Sequence, residues 1–448
     1  MNDNKTGGTA DLLVRSDYIN KIFRRRVVSE EMENVKAPNL NGNYHYRVID
    51  IKWTTMTLCA NGYNIRNDGR FPAYKGQLAI YNCALGFVQG YTPNEAYIMA
   101  KAWKRDSKVN PEQGHSCFDL LGVIDYSSFD NPYITKTAES IKWVRDVREH
   151  GDSWDLLNPV REEMYPNACN TFDAPWTKQK KKLCKDLDEI TQIWYVTDNH
   201  RRNAHKNGVK SWRDPNCTSE TMEITGEIKP EVIDMILDIN RDPEATILPQ
   251  EIENNFMNWQ ETGPCDFFVD FETINCCFYN PEIDIENSKN ESDIIFMIGV
   301  GYVEDDEWHY DVFTADDVSF AEEKKIIDRF TEFIDRKSLE YDHTGEYMPR
   351  LFHWSMAEVN NFRHANNRHR EKWVEWQKNI VWVDMYNVFT TEPIVVKGAL
   401  NFKLKEIGGS LHRLGLIDTM WKETGPSDGF TAMLEAVEYY KEKSNGNL

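Results

Sequence analysis

Residues 267–272 read Phe267-Phe268-Val269-Asp270-Phe271-Glu272, and this stretch decides the fold of the C-terminal part of the chain. Its aromatic and β-branched residues predict a buried strand. Asp270 and Glu272 are two positions apart, so their side chains lie on one face of that strand. Two carboxylates on a buried strand cost free energy unless they are paired or bind a metal ion. The pattern therefore predicts a divalent-cation site, and a strand end that reaches solvent is the structural alternative.

The sequence that follows this strand alternates between strand-like and helix-like segments. An amphipathic helix is predicted over residues 320–336, and another helix begins near Met356. The order of these segments predicts an α/β domain over residues 263–448. Further strands are predicted over residues 294–302, 308–313 and 350–354.

Two more acidic residues follow predicted strands in this region. Glu358 lies in His353-Trp354-Ser355-x-x-Glu358, at the start of the helix after the strand at 350–354. Ser355-x-x-Glu358 also matches a helix-capping box, which needs no catalysis. Asp384 ends the apolar segment Val381-Trp382-Val383.

The D-x-E strand, the strands and helix after it, and the later acids together resemble the RNase H-like 3′–5′ exonucleases of the DnaQ and YprB type. The resemblance covers residues 265 to 440. It implies that Asp270, Glu272 and Glu358 bind Mg²⁺ or Mn²⁺ and that Asp384 supports the catalytic site. Lys403 and Lys405 fall where the family has a lysine near phosphate, although a solvated lysine face explains both. The family's last catalytic Asp, in a late helix, has no counterpart before Leu448.

A second group of candidate site residues lies near the N-terminus. Asp11 lies on one strand-like segment, Ala10 to Val14, and Asp50 and Lys52 lie on another, Tyr46 to Trp53. Two acids can bind Mg²⁺, and a nearby lysine can orient water and stabilise developing negative charge. Gln77 and Tyr81 follow on a predicted helix, where positions i and i+4 share a face. The structural alternative is a buried salt bridge of Asp50 and Lys52 beside a polar helix stripe.

The sequence D-x-K followed by Q-x-x-x-Y resembles the RecB-like PD-(D/E)XK nucleases. The resemblance implies that Asp11 and Asp50 bind metal, that Lys52 is the catalytic lysine, and that Gln77 and Tyr81 position the substrate. RecB-like nucleases also have an N-terminal helical part, which has no counterpart after Met1. We therefore expect a partial RecB-like domain over residues 1–105 and a truncated RNase H-like domain at the C-terminus.

Residues 106–262 are rich in tryptophan, interrupted by proline and predicted to be a helical connector. Within them, Glu189 to Trp212 resembles a degenerate helix–hairpin–helix, with Gly208-Val209 as a turn between two short helices. Backbone amides in such a turn can contact phosphate. A structural spacer is the alternative, because the first hairpin turn lacks the expected glycine.

Composition limits the class of protein further. A formal net charge of −21 argues against binding to nucleic acid by bulk charge alone, but it is compatible with clustered metal-binding carboxylates. The nine cysteines form no C-x2-C pair, so zinc binding has no support in the sequence. Neither a signal peptide nor an apolar membrane span is evident, and we expect a soluble cytoplasmic protein.

These patterns predict an α/β fold in both end domains. The two resemblances imply a partial restriction-endonuclease-like core at the N-terminus and an RNase H-like mixed sheet flanked by helices at the C-terminus. They also imply a Mg²⁺- or Mn²⁺-dependent nuclease whose partner is nucleic acid, DNA rather than RNA, and which acts as a 3′–5′ exonuclease. The alternative is a nucleic-acid-binding or scaffold protein that keeps the nuclease folds and has lost turnover.

Overall fold

The computed structural model describes residues 6–171, 173–275, 293–420 and 429–445. Within them the chain forms two compact units, Met1–Trp154 and Asp155–Leu448. Both units combine helices with mixed β-sheets, which confirms the predicted α/β class in its general form. The first unit is longer than the predicted residues 1–105, because strands after residue 105 complete its sheet.

The first unit places its sheet between two layers of helices. Val48, Ile98 and Leu78 belong to the hydrophobic core on one face of the sheet, and Ile49 and Ile19 belong to the core on the other. Its elements, in chain order, are β1 (Leu12–Arg15), α1 (Ser16–Ile22), α2 (Glu30–Glu33), β2 (Tyr46–Leu58), α3 (Phe71–Gln89), β3 (Glu95–Arg105), β4 (Gln113–Gly114), β5 (Gly122–Asp125) and α4 (Pro132–His150).

Strand direction in this sheet is mixed. β1 is antiparallel to β2, and β2 is parallel to β3. Helix α3 connects these two parallel strands, as a β-α-β connection requires. β4 and β5 both pair antiparallel with β3. The predicted segments at Asp11, Asp50 and Gln77 therefore lie next to β1, on β2 and on α3 of one sheet and its covering helix.

The second unit contains a mixed sheet, also of five strands, with helices packed on one face. Ser319 caps the longest helix by accepting a hydrogen bond from the Glu322 backbone amide. The elements are α5 (Thr177–Asp186), α6 (Asp198–Lys206), α7 (Lys229–Arg241), β6 (Ile247–Leu248), β7 (Asp266–Ile274), β8 (Ile294–Glu304), β9 (Glu307–Thr314), α8 (Phe320–Tyr341), β10 (Arg350–His353), α9 (Ala357–Arg368), α10 (Val374–Gln377), β11 (Val381–Asp384), α11 (Met385–Thr391), β12 (Val395–Val396), α12 (Leu404–Arg413) and α13 (Gly429–Ser444).

The strands predicted around the D-x-E segment are confirmed, and their order is β11-β10-β7-β8-β9. β7, β8 and β9 form an antiparallel meander, whereas β10 and β11 lie parallel to β7 on its other side. The core lies between this sheet and helices α8, α9 and α13, with Phe267, Val269 and Phe271 of β7 at its centre. Phe268 is 42% exposed, so β7 is buried on one face only. The sequence had predicted a strand that is buried on both faces.

The predicted connector is not a separate helical spacer. Its beginning, through β5 and α4, belongs to the first unit, and residues 155–262 belong to the second. β6 pairs with β12, and α7 shares a hydrophobic core with Val395, Phe402 and Ile407. This second core supports the segment from β12 to α12, which leads towards the candidate site.

The helix–hairpin–helix prediction is wrong. Residues Ile190–Gln192 form only a short 3₁₀ turn, and α6 is followed by irregular turns rather than by a second helix. The Gly208 and Val209 amides donate to the carbonyls of His205 and Ala204, which closes the C-terminus of α6. These amides are therefore already hydrogen-bonded and do not face a phosphate.

Candidate active sites

The strand β7 presents its two acids on the face opposite the helices. Phe267, Val269 and Phe271 point into the core, so Asp270 and Glu272 lie on the other face. Asp270 is solvent-exposed and pairs across the sheet with Gly299 of β8. The alternation along the strand thus confirms that the two acids share one face.

The turn between β10 and α9 brings Glu358 towards Asp270. Ser355 has a φ of 70°, which reverses the chain direction after β10. The Ser355 amide donates to Asp384 Oδ1 at 2.8 Å, and its carbonyl accepts a hydrogen bond of 2.5 Å from His353 Nδ1. Two hydrogen bonds therefore fix the turn that precedes Glu358.

Glu358 is not part of a capping box. Helix α9 begins at Ala357, its N-cap residue is Met356, and no side chain caps it. The Glu358 side chain is buried, and within the described part of the chain its Oε2 atom has no hydrogen-bond partner. His353 Nδ1 lies 3.6 Å from that oxygen, but its hydrogen bond goes to the Ser355 carbonyl. A buried carboxylate oxygen without a partner is costly, and a cation would compensate it.

The Asp270 and Glu358 carboxylates influence each other electrostatically. Surrounding protein displaces water from Asp270 although the residue is still accessible, and this desolvation is the main cause that raises its pKa. The negative charge of Glu358 raises the Asp270 pKa further, and Lys405 lowers it. Two carboxylates that repel each other form a site that a bound cation would stabilise.

Asp384 holds the backbone of the site in place. Its Oδ1 atom accepts hydrogen bonds from the Ser355 amide at 2.8 Å and the Tyr386 amide at 3.0 Å. The second bond makes Asp384 the N-cap of α11. Because this oxygen already accepts two backbone hydrogen bonds, the contacts fit the predicted supporting role better than direct metal binding.

Glu272 and Lys405 are two further charged residues near this pair. A Cβ atom placed on Gly429, the first residue of α13, would lie 3.2 Å from Glu272 Oε2, so the start of that helix adjoins the carboxylate. Lys405, near the start of α12, is exposed, but its charge reaches Asp270. The interpretation of Lys405 as a merely solvated lysine is therefore incomplete.

The predicted N-terminal residues also come together. Asp50 is 2% exposed and forms an ion pair with Lys52, with Nζ and Oδ2 2.5 Å apart. Asp11 Oδ2 accepts a hydrogen bond of 2.8 Å from the Ile51 amide and lies next to Asp50. Desolvation is the largest cause that raises the Asp50 pKa, and Asp11 adds to it, whereas Lys52 lowers it.

A chain of hydrogen bonds extends from this ion pair along helix α3. Lys52 Nζ donates to Gln77 Oε1, and Gln77 Nε2 donates to the Tyr81 hydroxyl, each at 3.0 Å. A Cβ atom on Gly8 would approach the Tyr81 ring to 2.5 Å, so glycine is needed there for the close packing. The Tyr74 ring lies 4.7 Å from Lys52 Nζ and was not expected from the sequence.

Each unit thus assembles a pair of carboxylates, Asp11 with Asp50 and Asp270 with Glu358. Among the residues that the structure describes, no three His, Cys, Asp or Glu side chains form a group ready to hold a metal ion. Mg²⁺ in proteins commonly keeps several waters and uses one or two carboxylates together with substrate phosphates. The residues present therefore fit such an ion, with Glu272 further along the β7 face.

Comparison of the chain with models of protein families, with curated proteins and with solved structures gives no match. None of the described helices is both long and apolar enough to cross a membrane. The seven described cysteines carry free thiols, and Cys276 and Cys277 lie outside the described residues.

Proposed function

We propose that the protein is a divalent-metal-dependent nuclease that hydrolyses phosphodiester bonds in nucleic acid, with its principal site in the second unit. The observation that carries this proposal is the electrostatic interaction of Asp270 with Glu358, which lie on a strand and on a helix far apart in sequence. The buried Glu358 oxygen without a hydrogen-bond partner supports a site completed by a cation. The antiparallel meander followed by two parallel strands supports the RNase H-like assignment.

In this proposal Asp270 and Glu358 hold Mg²⁺ or Mn²⁺, and Glu272 extends the negative face of β7. A bound divalent ion would activate water and offset charge on the scissile phosphate. Asp384 and Ser355 hold the turn that positions Glu358, and Lys405 supplies a positive charge close to the substrate phosphate. We infer an exonuclease acting on DNA from the 3′ end, in line with the resemblance to DnaQ-type enzymes.

The first unit is proposed as a second, RecB-like nuclease site. Asp11 and Asp50 would hold the cation, and Lys52 would orient water and stabilise the developing charge. Gln77 and Tyr81 keep the lysine in position through their hydrogen bonds. The short Lys52–Asp50 distance also fits the alternative of a structural salt bridge, which a substitution of Lys52 separates from catalysis.

A test of the principal site compares Asp270→Asn with the parent protein, both in an Asp50→Asn background that inactivates the site of the first unit, in Mg²⁺-dependent release of nucleotides from single-stranded DNA. We expect a loss of about a hundredfold or more, because a ligand of the cation is removed. The matched control is Asp306→Asn in the β8–β9 turn, where the φ of 63° suits asparagine, and it should hydrolyse DNA like the parent. Equal rates in Asp270→Asn and the parent would refute the proposal for this unit.

The second candidate function is nucleic-acid binding without turnover. The observation that favours it is that only pairs of carboxylates, and no group of three ligands, assemble among the described residues. Binding of single-stranded DNA by the parent protein, together with no Mg²⁺- or Mn²⁺-dependent hydrolysis by either unit, would establish this candidate instead.

A further inference from the structure

An exposed aromatic surface lies on the same sheet face as Asp270 and Glu272. It is formed by Phe268 of β7 together with Trp308 and Tyr310 of β9, which are 42%, 59% and 60% exposed. The Phe268 and Trp308 ring centroids are 5.3 Å apart. Large aromatic side chains this exposed on one face mark a binding surface more often than isolated exposed residues do.

Two glycines of the intervening strand β8 allow the rings to lie on the sheet. A Cβ atom on Gly301 would come within 2.2 Å of the Trp308 ring, and one on Gly299 would come within 2.2 Å of the Tyr310 hydroxyl. Any other residue at either position would push the ring away. The two rings therefore rest against the backbone of β8 and leave much of their surface open to solvent.

This aromatic surface is continuous with the candidate metal site. Gly299, beneath the Tyr310 hydroxyl, pairs directly with Asp270. Desolvation is the main cause that raises the Tyr310 pKa, and the negative charges of Asp270 and Glu272 raise it further, which agrees with a position of the hydroxyl close to both carboxylates. On the far side, Phe352 stacks on Phe268 at 5.2 Å and supports it from β10.

We propose that Phe268, Trp308 and Tyr310 form a stacking surface for the unpaired bases of a single-stranded nucleic acid whose backbone passes Asp270 and Glu358. Aromatic rings bind bases of any sequence, because every base offers a π-face. The inference rests on the proposed function for the location of the scissile phosphate. A nucleic-acid strand bound here would place its bases on the rings and a phosphate at the carboxylates. An apolar peptide could contact the rings, but it would not need the carboxylates beside them.

The test measures binding separately from cleavage, in an Asp50→Asn/Asp270→Asn background, by fluorescence anisotropy of labelled oligothymidylate. Added Trp308→Ala or Tyr310→Ala should weaken binding by about fivefold to a hundredfold, the effect of losing one stacked base. Trp308→Phe should restore most of it. The control Trp176→Ala removes another exposed tryptophan of the second unit, 66% exposed, and should not change binding.

A second measurement locates the strand directly. Oligonucleotides carrying 5-iodouracil are photo-crosslinked to the protein, and the attached peptides are identified by mass spectrometry. We expect crosslinks in the peptide that contains Trp308 and Tyr310, and competition by single-stranded but not by blunt duplex DNA.

Unchanged affinity in the alanine variants, crosslinks only elsewhere, or self-association through Trp308 without oligonucleotide binding would each overturn the stacking inference. Failure of the nuclease proposal looks different. In that case the parent binds and crosslinks through these aromatic residues and hydrolyses nothing in Mg²⁺ or Mn²⁺.

Discussion

The two candidate sites differ in how the negative charge of a desolvated aspartate is balanced. In the first unit, the buried Asp50 has its own cation, Lys52, at 2.5 Å. In the second unit, Asp270 is accessible, and the negative charge of Glu358 is the largest electrostatic influence on its pKa after desolvation. A site with an internal cation can fold without metal at little cost, whereas a pair of acids gains more from an external cation. We therefore expect metal binding to stabilise the second unit more than the first.

The largest expected effect tests whether the first unit depends on buried charge that has no part in catalysis. Lys75 and Asp130 are fully buried and form an ion pair at 2.6 Å, which links α3 to the turn that precedes α4. Lys75→Met leaves a buried carboxylate without its partner and should lower the free energy of unfolding of this unit by about 3–5 kcal/mol. Urea unfolding followed by circular dichroism measures the change.

The control for Lys75→Met is Lys36→Met, because Lys36 is exposed and its loss should change stability by less than about 0.5 kcal/mol. Equal stability of the two variants would mean that the Lys75–Asp130 pair contributes nothing. An unchanged unfolding transition of the second unit is also expected, since the substitution lies in the first.

The next effect separates a catalytic lysine from a structural salt bridge. Lys52→Met in an Asp270→Asn background should reduce the remaining Mg²⁺-dependent hydrolysis by about a hundredfold, the usual contribution of a positioned acid–base group. The matched control is Lys104→Met, since Lys104 is exposed on β3. If Lys52→Met loses stability but keeps the rate of its background, the salt-bridge interpretation of Asp50 and Lys52 is correct.

A smaller effect concerns the backbone of the second site. Asp384→Ala removes an N-cap and the acceptor of the Ser355 amide, and it should cost about 1 kcal/mol of unfolding free energy. Asp384→Asn keeps a capping oxygen, so it should retain most of the stability and of the hydrolysis rate. A rate for Asp384→Asn as low as that for Asp270→Asn would instead make Asp384 a metal ligand.

The smallest expected effect is a shift in pH dependence. The Asp270 pKa is raised, so as pH falls this carboxylate takes up a proton, and loses the cation, at a higher pH than an ordinary aspartate. Without metal, protonated Asp270 stabilises the folded state, because its pKa is higher in the folded than in the unfolded chain. This stabilisation is lost as pH rises through the folded-state pKa.

Glu358→Gln removes the like charge and should lower the Asp270 pKa. The pH at which Mn²⁺ binding is half lost should therefore move down, although the affinity at high pH falls because a ligand is missing. Mn²⁺ binding, followed by electron paramagnetic resonance in an Asp50→Asn background, measures this midpoint. A midpoint that moves up or stays in place would show that Glu358 does not act on Asp270.

The sequence by itself determined the elements that carry the candidate residues. Alternation in residues 267–272 placed Asp270 and Glu272 on one strand face, and the i and i+4 spacing placed Gln77 and Tyr81 on one helix face. Both follow from local backbone geometry, which the sequence spacing fixes. The same alternation puts Trp308 and Tyr310 on one face of β9, so the aromatic surface was within reach of that reasoning.

Only the tertiary structure decided which of these faces meet and which residues are charged neighbours. The spacing of Ser355 and Glu358 left a capping box open as an alternative, but the hydrogen bond from the Ser355 amide to Asp384 sets a left-handed turn that local spacing does not reveal. The sequence also predicted a spacer at residues 106–262. In the structure, the beginning of this segment belongs to the first unit and its remainder packs into a core of the second. Burial, pairing and the pKa of Asp270 depend on atoms far apart in sequence, because desolvation and Coulomb interactions act through space.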